Sequence, residues 1–444
     1  MTTSMKKMWM PPTVSLPLLN MIDMFSVSLV VPLLHQYYIS AGVTSASQRE
    51  LLSSLFSSSQ IVGGLLIGAA SDSKMLSRRN TLLLSFSGSA VAYALIMRGS
   101  ILFLLCSRVV VGLVKQTQTV STAMLASYTT KENRTIHMGR LKASTTLAWI
   151  AGPSIGALLY KHVDEFAPAA LACAMFVFNT ILASMVLPND EGNTSIDIEL
   201  EKKKTTNSSS KFSSFASNLR SCFDSKLLAS VVSSLLLFHW VTRATSYTKM
   251  ATYYEQMYGI EQYQRGYLAS YEGLLSLVAQ SFLVRPLLRL TGGEKNAAFF
   301  AGLSLSITSL LETQSSLWVF LFILSPIIAV SVSLLALSLT SLVTQVAPKN
   351  SIGSVLAAID VLQSAAAVTV PFYRTFLFTV MAKVSTLQGK SAALGEPNPQ
   401  IWLLSCGTHW LLFAAITFLL LVRGNHGRTR IDQNHGLKNY KKEK

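Results

Sequence analysis

The sequence predicts an all-α integral membrane protein, with twelve transmembrane helices arranged as two six-helix bundles. Three observations carry that prediction. Half of the 444 residues are hydrophobic and only 13% are charged, against about 25% charged in water-soluble domains, so polar material is too scarce to wrap a soluble core of this size. The apolar residues form twelve runs, each near the roughly 20 residues that a helix needs to cross about 30 Å of hydrocarbon. The lysines and arginines gather in the polar segments between those runs and favour one side of the membrane. Length alone would suggest soluble domains of about 150 residues each, but the apolar runs are evenly spread rather than gathered into separate cores.

Taken in order, the first six spans lie near residues 13–34, 51–70, 81–97, 101–124, 143–160 and 167–187, and form an N-terminal bundle over 1–187. Residues 188–226 hold Asp190, Glu191, the Lys202 to Lys204 run and Ser208 to Ser210, the low hydrophobicity expected of a disordered linker. Six more spans follow near 227–248, 266–284, 296–311, 317–343, 353–380 and 401–422, making a C-terminal bundle over 227–422, and a basic tail occupies 423–444. The segment Met1 to Pro12 is short and no small-residue cleavage pattern follows the first apolar run, so the first span is expected to act as its own insertion signal.

A net charge of +16 would suit a nucleic-acid partner, yet the basic residues form short clusters rather than one continuous face. Membrane orientation accounts for them better. With the amino terminus inside, 26 of the 37 lysines and arginines fall on the cytosolic side, seven on the other, and four within spans: Arg108, Lys115, Arg243 and Arg374. Both termini and the linker are therefore expected in the cytosol, and the glycosylation sequons at Asn133, Asn193 and Asn207 are expected to be unused. Cys106, Cys173, Cys222 and Cys406 are far apart and suggest neither a disulfide frame nor a CxxC metal site.

Charges inside the membrane are the candidates for function, because a cation there costs around 2.5–3.5 kcal/mol on insertion scales unless it meets a wet cavity or a counter-charge. In the fourth span Arg108, Gly112 and Lys115 share one helical face; the alternative for Arg108 is that it snorkels to the outer surface. Asp23, near the middle of the first span with Asn20 one turn earlier, is placed to pair with Arg108 or Lys115 and to titrate as a coupling ion passes. Glu272, Asp360 and Arg243 with His239 are further intramembrane polar groups of coupling, boundary or packing character. The fifth span carries Gly152-Pro153-Ser154-Ile155-Gly156, where small residues four apart let helices touch and Pro frees a backbone carbonyl so that the helix can bend. After the second span, Gly68-Ala-Ala-Ser-Asp72 runs into Lys74, Arg78 and Arg79; an acid at a helix end can lock onto neighbouring bases or helix amino ends, or simply fix topology. His239 and His409, the only histidines within the expected spans, have no acidic or histidine neighbour at helical spacing. No metal, cofactor or catalytic site is therefore expected.

The halves echo each other faintly: laying Arg49 to Gly68 over Arg265 to Val284 matches Arg with Arg, Leu52 with Leu268 and Ser54 with Ser270, while Gly139 to Pro153 and Gly353 to Pro371 mark the fifth span of each half. Internally repeated bundles are a common transporter plan. GxxxD after span two, RxxxG in span four and GPxxG in span five together resemble the signature set of the major facilitator superfamily, the last of them its drug/proton antiporter branch. The run Asp23 to Leu34, the stretch Arg108 to Thr117 and Lys131-Glu-Asn-Arg134 look closest to the animal subfamily called major facilitator domain-containing protein 9. The resemblance is clearest over 13–160. It implies the major facilitator fold, two bundles rocking about a central cavity, with Asp72 as the gating acid beside Arg78 and Arg79, Arg108 as the buried cation linked to proton movement, and Gly152, Pro153 and Gly156 as the antiporter hinge. The loop after Asp72 departs from the family pattern: it lacks the usual glycine and is about two residues longer. In the second half Arg285 and Arg289 stand where a copy of this loop is expected, with no acid.

On this reading the expected function is movement of a small organic solute by alternating access, proton-coupled, with Asp23 and Arg108 as the coupling pair; the partners are an unidentified small-molecule substrate, protons and membrane lipids, with no nucleic acid and no cofactor. The alternative is a transporter-like protein that no longer transports and binds lipids or membrane partners, as a sensor would. The terminal Lys441-Lys442-Glu443-Lys444 looks like a dilysine retrieval signal of endoplasmic reticulum membrane proteins, or else is a basic tail drawn to anionic headgroups.

Overall fold

The structure, a computed structural model, describes residues 10–43, 46–72, 77–129, 131–188, 222–223, 225–246, 252–261, 263–347, 352–387 and 398–423. Most of the expected linker, with Asn193 and Asn207, the tail with Lys441 and Lys442, and Lys74 lie outside the described residues, as do the side chains of Asp72 and Asp360.

Every regular element among the described residues is helical. Those of seven residues or more are, in chain order, α1 (Pro12–Val30), α2 (Leu34–Ser40), α3 (Ala46–Asp72), α4 (Arg78–Ile96), α5 (Ile101–Val114), α6 (Thr117–Ser127), α7 (Lys131–His162), α8 (Ala167–Val186), α9 (Lys226–Thr245), α10 (Thr252–Tyr258), α11 (Gln264–Val278), α12 (Val284–Leu290), α13 (Glu294–Glu312), α14 (Ser325–Val346), α15 (Ile352–Leu387) and α16 (Pro399–Thr417). Local sequence explains several boundaries. Pro12, Pro168 and Pro399 sit in the first helical turn, where a missing N–H costs nothing. Pro32 interrupts the first span with a 3₁₀ turn over Val31–Leu33. Ser77 and Ser225 cap α4 and α9 by accepting from the amides of Asn80 and Leu228.

Among the described residues, seven stretches are long and apolar enough to cross a membrane: Pro12–Ser40, Ile101–Leu125, Ala167–Val186, Lys226–Thr245, Gln264–Leu290, Leu317–Val346 and Pro399–Val422. Helices α3, α4, α7, α13 and α15 occupy the remaining expected positions and carry more polar residues. Apolar side chains point outward along these helices, Met185, Phe282, Trp318 and Phe322 among them, with Trp318 and Phe322 stacked 5.7 Å apart on the surface. In water such faces would drive association; in lipid they are the solvated surface.

Contacts divide the chain into two compact units, one of residues 1–207, 250–274 and 374–396, the other of 208–249, 275–373 and 397–444. In the first, α1 packs against α6, α7 and α8, α3 against α5, and α4 against α5 and α8. Its apolar residues form two separate layers. One holds Leu29, Tyr37, Ile96, Leu104 and Phe176; the other holds Leu16, Leu19, Phe86, Met124 and Leu125. Helix α7 lies on α1 without room for side chains between them: a Cβ at Gly152 would meet Ser28 Oγ at 1.8 Å, and one at Gly156 would meet the Leu29 carbonyl oxygen at 2.1 Å. Polar ties fix the same helices. Asn20 Nδ2 donates to Thr145 Oγ1 at 2.8 Å and Ser144 Oγ at 3.2 Å, Ser28 Oγ donates to the Ala148 carbonyl at 2.9 Å, and Asn179 Nδ2 donates to the Leu19 carbonyl at 3.0 Å.

The second unit packs α9, α13, α14 and α16 around Val231, Val232, Leu235, Phe238, Leu335, Leu339 and Phe413. Three π-helical turns, Ala279–Leu283, Phe320–Leu324 and Phe418–Val422, belong to this unit. Each inserts one residue into the helical register and so rotates the lipid-facing stripe beyond it.

Candidate functional site

Between the two apolar layers of the first unit lies a polar one. Asp23 follows Leu19 and precedes Leu29 on α1, Tyr93 stands between Phe86 and Ile96 on α4, and Arg108 lies one turn past Leu104 on α5. The order along each helix therefore puts Asp23 and Arg108 between the two apolar clusters, with Tyr93 at the edge of the one that holds Ile96.

The fourth span is not continuous. Helix α5 ends at Val114, α6 begins at Thr117, and Lys115 leaves the helix with φ −75° and ψ 82°. The break lets Lys115 turn inward, and its ammonium forms an ion pair with Asp23. Asp23 is 0% exposed and Lys115 11%. Thr117, the first residue after the break, also lies beside the Asp23 carboxylate, and its hydroxyl is joined to Ser85 Oγ on α4 at 2.9 Å. Lys115 sits over the ring of Phe176, 4.9 Å from its centroid, and Phe176 in turn stacks on Tyr93 at 5.2 Å. Irregular backbone at membrane depth is tolerated only where it is buried in protein or lines a cavity.

Arg108 is 6% exposed and donates from Nη2 to Ser107 Oγ at 3.1 Å. Its charge and that of Asp23 both act on Tyr93, so the three groups share one neighbourhood. The direct partner of Asp23 is nevertheless Lys115. Asp23 Oδ2 accepts no hydrogen bond. A buried carboxylate with one oxygen in an ion pair and the other open can accept a proton there, and the paired ammonium makes the charged form tolerable meanwhile.

Gly112 faces α3 rather than the charges: a Cβ on it would meet Ser59 Cβ at 2.6 Å and the Phe56 carbonyl oxygen at 2.8 Å. Gly152 and Gly156 serve the contact with α1. Pro153 faces α11 instead. A Cβ on Gly266 would meet the Pro153 carbonyl oxygen at 2.2 Å, Ser154 N donates to Ser270 Oγ at 3.1 Å, and Lys161 Nζ donates to Tyr263 OH at 2.8 Å. The GPxxG element thus presents one face to α1 and another to α11, all within the first unit.

Arg79 Nη2 donates to the Ser184 carbonyl at 2.6 Å, one of the last carbonyls of α8, which have no intrahelical donor. Arg78 opens α4 beside it. Helix α3 runs through Asp72. In the remaining candidates the structure shows less convergence: Arg243 on α9 is exposed and Glu272 on α11 is half-buried.

The second unit has a polar cluster that the sequence reading passed over. His409 Nδ1 lies 2.6 Å from the Ser405 carbonyl, which can only accept, so Nδ1 carries the proton. Nε2 is then the acceptor for Tyr373 OH. Trp240 packs on Tyr373 at 4.7 Å and donates from Nε1 to Thr369 Oγ1 at 3.1 Å. Spacing along one helix cannot reveal this partner of His409, a tyrosine from another helix.

A helical bundle that holds an ion pair at a break between two apolar layers, and that turns an apolar surface outward, is a multi-pass membrane protein. The sequence profile described as Major Facilitator Superfamily matches residues 17–371, and the chain belongs to that family. The class D tetracycline resistance protein of Salmonella ordonez is 31% identical over 200 residues, 42% of this chain and 50% of the relative. Major facilitator superfamily domain-containing protein 10 of Mus musculus is 30% identical over 149 residues, 33% of this chain and 32% of the relative. The chain thus spans half or less of the length of these two curated relatives. Among solved structures, the human organic anion transporter MFSD10 (TETRAN) aligns with a TM-score of 0.61 at 20% identity, covering 91% of this chain and 98% of that one. A bacterial homologue of the human lysosomal transporter Spinster, in an inward-facing and unoccupied conformation, aligns with a TM-score of 0.68 at 12% identity, covering 92% and 96%. Identities this low establish the shared fold.

Proposed function

We propose that this protein is a secondary transporter that moves a small organic solute across a membrane by alternating access, coupled to proton movement through Asp23. One observation carries the reading: Asp23 is wholly buried, is ion-paired to Lys115 at the break in the fourth span, and keeps one carboxylate oxygen without a partner. Such a group has two balanced states. Ionised, it holds Lys115 and ties α1 to the α5–α6 break. Protonated at Oδ2, it is neutral and Lys115 is released, so that a proton changes which helices are held together. Solute and proton would then occupy the site in turn, which is the thermodynamic requirement for coupling. Arg108 stands close by as a fixed positive charge that disfavours a second cation. The contacts of Pro153 with α11 and of Arg79 with α8 are proposed as parts of the gating machinery, with Asp72 and Arg78.

The tetracycline resistance relatives and the organic anion transporter fold neighbour supply the solute panel. Full-length protein in sealed vesicles with an imposed pH gradient should accumulate or expel at least one tetracycline-like or organic-anion compound, and collapse of the gradient should stop it. A gradient-independent flux of the same size would refute the proton coupling, and absence of flux across the panel would refute the transport reading.

A further inference from the structure

In the second unit, Trp240 on α9 and Tyr373 on α15 meet with ring centroids 4.7 Å apart and planes inclined by 55°, so that the two rings form a corner. Both stay partly exposed, and Trp240 also rests on the apolar core of the unit. Each ring is fixed by a short chain of hydrogen bonds that ends on a helix backbone. Trp240 Nε1 donates to Thr369 Oγ1 at 3.1 Å, and that hydroxyl donates to the Ala366 carbonyl at 2.8 Å. Tyr373 OH donates to His409 Nε2, and His409 Nδ1 donates to the Ser405 carbonyl at 2.6 Å. Tryptophan and tyrosine that anchor a helix at the membrane surface keep their polar tips in the wet headgroup layer. Here both tips are bonded within the protein, and anchoring does not account for them. Arg243, one turn along α9 from Trp240, is exposed, and its guanidinium makes no hydrogen bond or ion pair among the described residues. Residues three apart on a helix are neighbours, so a fixed aromatic corner and an uncommitted cation lie side by side.

We infer that Trp240, Tyr373 and Arg243 form a binding subsite for a planar aromatic anion of the aryl carboxylate type. The chemistry follows from the three side chains. A flat ring gains from offset stacking or edge contact with aromatic rings at centroid separations of about 4.5–7 Å, and two inclined rings offer one contact of each kind. A guanidinium binds a carboxylate through two parallel N–H bonds. An aromatic lining with a few placed polar groups is the common make-up of a small-molecule site. Because Thr369 and His409 already hold the ring planes, little side-chain freedom is lost when a ligand arrives. Arg243 disfavours a cationic ligand, and an aliphatic anion gains nothing from the rings. The inference rests on the transport reading only in taking the bound molecule for the cargo; the subsite itself lies wholly within the second unit.

The test is ligand-dependent thermal unfolding of the purified full-length protein with three probes. Naphthoate carries both the ring and the charge, naphthalenemethanol the ring alone, and cyclohexanecarboxylate the charge alone. Naphthoate should raise Tm to a plateau and bind at least about tenfold more tightly than either control, the factor expected for one added interaction. Arg243→Gln should reduce naphthoate to the affinity of naphthalenemethanol and leave naphthalenemethanol unchanged. Trp240→Leu should weaken both ring compounds and leave cyclohexanecarboxylate unchanged; if that variant does not fold, Arg243→Gln, at an exposed side chain, still decides. A naphthoate shift that never saturates, equal binding of naphthoate and cyclohexanecarboxylate, or wild-type naphthoate affinity in Arg243→Gln would overturn the inference. The two readings fail separately: saturable naphthoate binding with no flux of any solute in vesicles supports the subsite and refutes transport, while proton-driven flux without naphthoate binding refutes the subsite alone.

Discussion

At the scale of residues, the Asp23–Lys115 pair is a commitment the chain cannot easily undo. Removing one partner of a buried ion pair costs on the order of 3–5 kcal/mol, because the other charge is stranded, while replacing both is often nearly neutral. Lys115→Met should therefore lower thermal stability sharply unless the acid takes up a proton, and Asp23→Asn in the same chain should recover most of the loss. A double-mutant cycle by thermal unfolding checks this, and additive effects would mean that the two side chains do not interact. Glu294, outside the spans, gives a pH-dependent companion. Its carboxyl lies below the usual range because its own backbone N–H at the start of α13 favours the charged form, followed by Gln345 Nε2, which donates to it at 2.9 Å. A group whose folded value is depressed contributes stability above its unfolded value, near about 4.3 for glutamate, and loses it as pH falls through the folded value. Protection from hydrogen exchange at the start of α13, taken relative to the intrinsic rate at each pH, should therefore fall on acidification below pH ~4, and in Glu294→Gln that acid dependence should vanish. The charges themselves were legible in the sequence, since each is expensive in hydrocarbon. Which cation Asp23 meets was not, because the answer depends on a chain break that no residue pattern announces: Lys115-Gln116 contains neither Gly nor Pro.

Helices are held by close approach more than by side-chain bulk. Gly152 and Gly156 let α7 touch α1, so Gly152→Ala must push Ser28 aside or part the helices. Overpacking of this kind costs about 1–3 kcal/mol, and loss of the Ser28 to Ala148 bond follows from it. A fall in Tm for Gly152→Ala, with Gly139→Ala unchanged because a Cβ there meets nothing within 4 Å, is the expected contrast; equal effects would deny the contact its role. Small residues four apart are visible in sequence, and Gly152 and Gly156 lie against Ser28 and Leu29 of α1. Their partners were not readable, nor was the second face that Pro153 and Ser154 present to α11, because spacing along one helix says nothing of which neighbours it meets. The π-helical turns also left no sequence sign, lying in unbroken apolar runs where one extra residue per turn changes no composition.

For the molecule as a whole, composition and the spacing of the apolar runs sufficed for a helical membrane protein, while the superfamily came from three motifs in the first half, Gly68 to Asp72, Arg108 to Gly112 and Gly152 to Gly156. Orientation rests on the basic residues, and predicts that Asn193 and Asn207 carry no glycan in cells; glycosidase treatment should leave the mobility of the protein unchanged, and a shift that disappears in Asn193→Gln would reverse the topology. The central claim remains that Asp23 is where a proton meets the transport cycle. The most direct measurement compares two modes in reconstituted vesicles for one transported solute: net flux driven by an imposed pH gradient, and solute exchange with the same solute on both sides and no gradient. Asp23→Asn, fixed in the neutral form, should retain exchange and lose gradient-driven flux. Gradient-driven flux equal to that of the wild type would contradict the account.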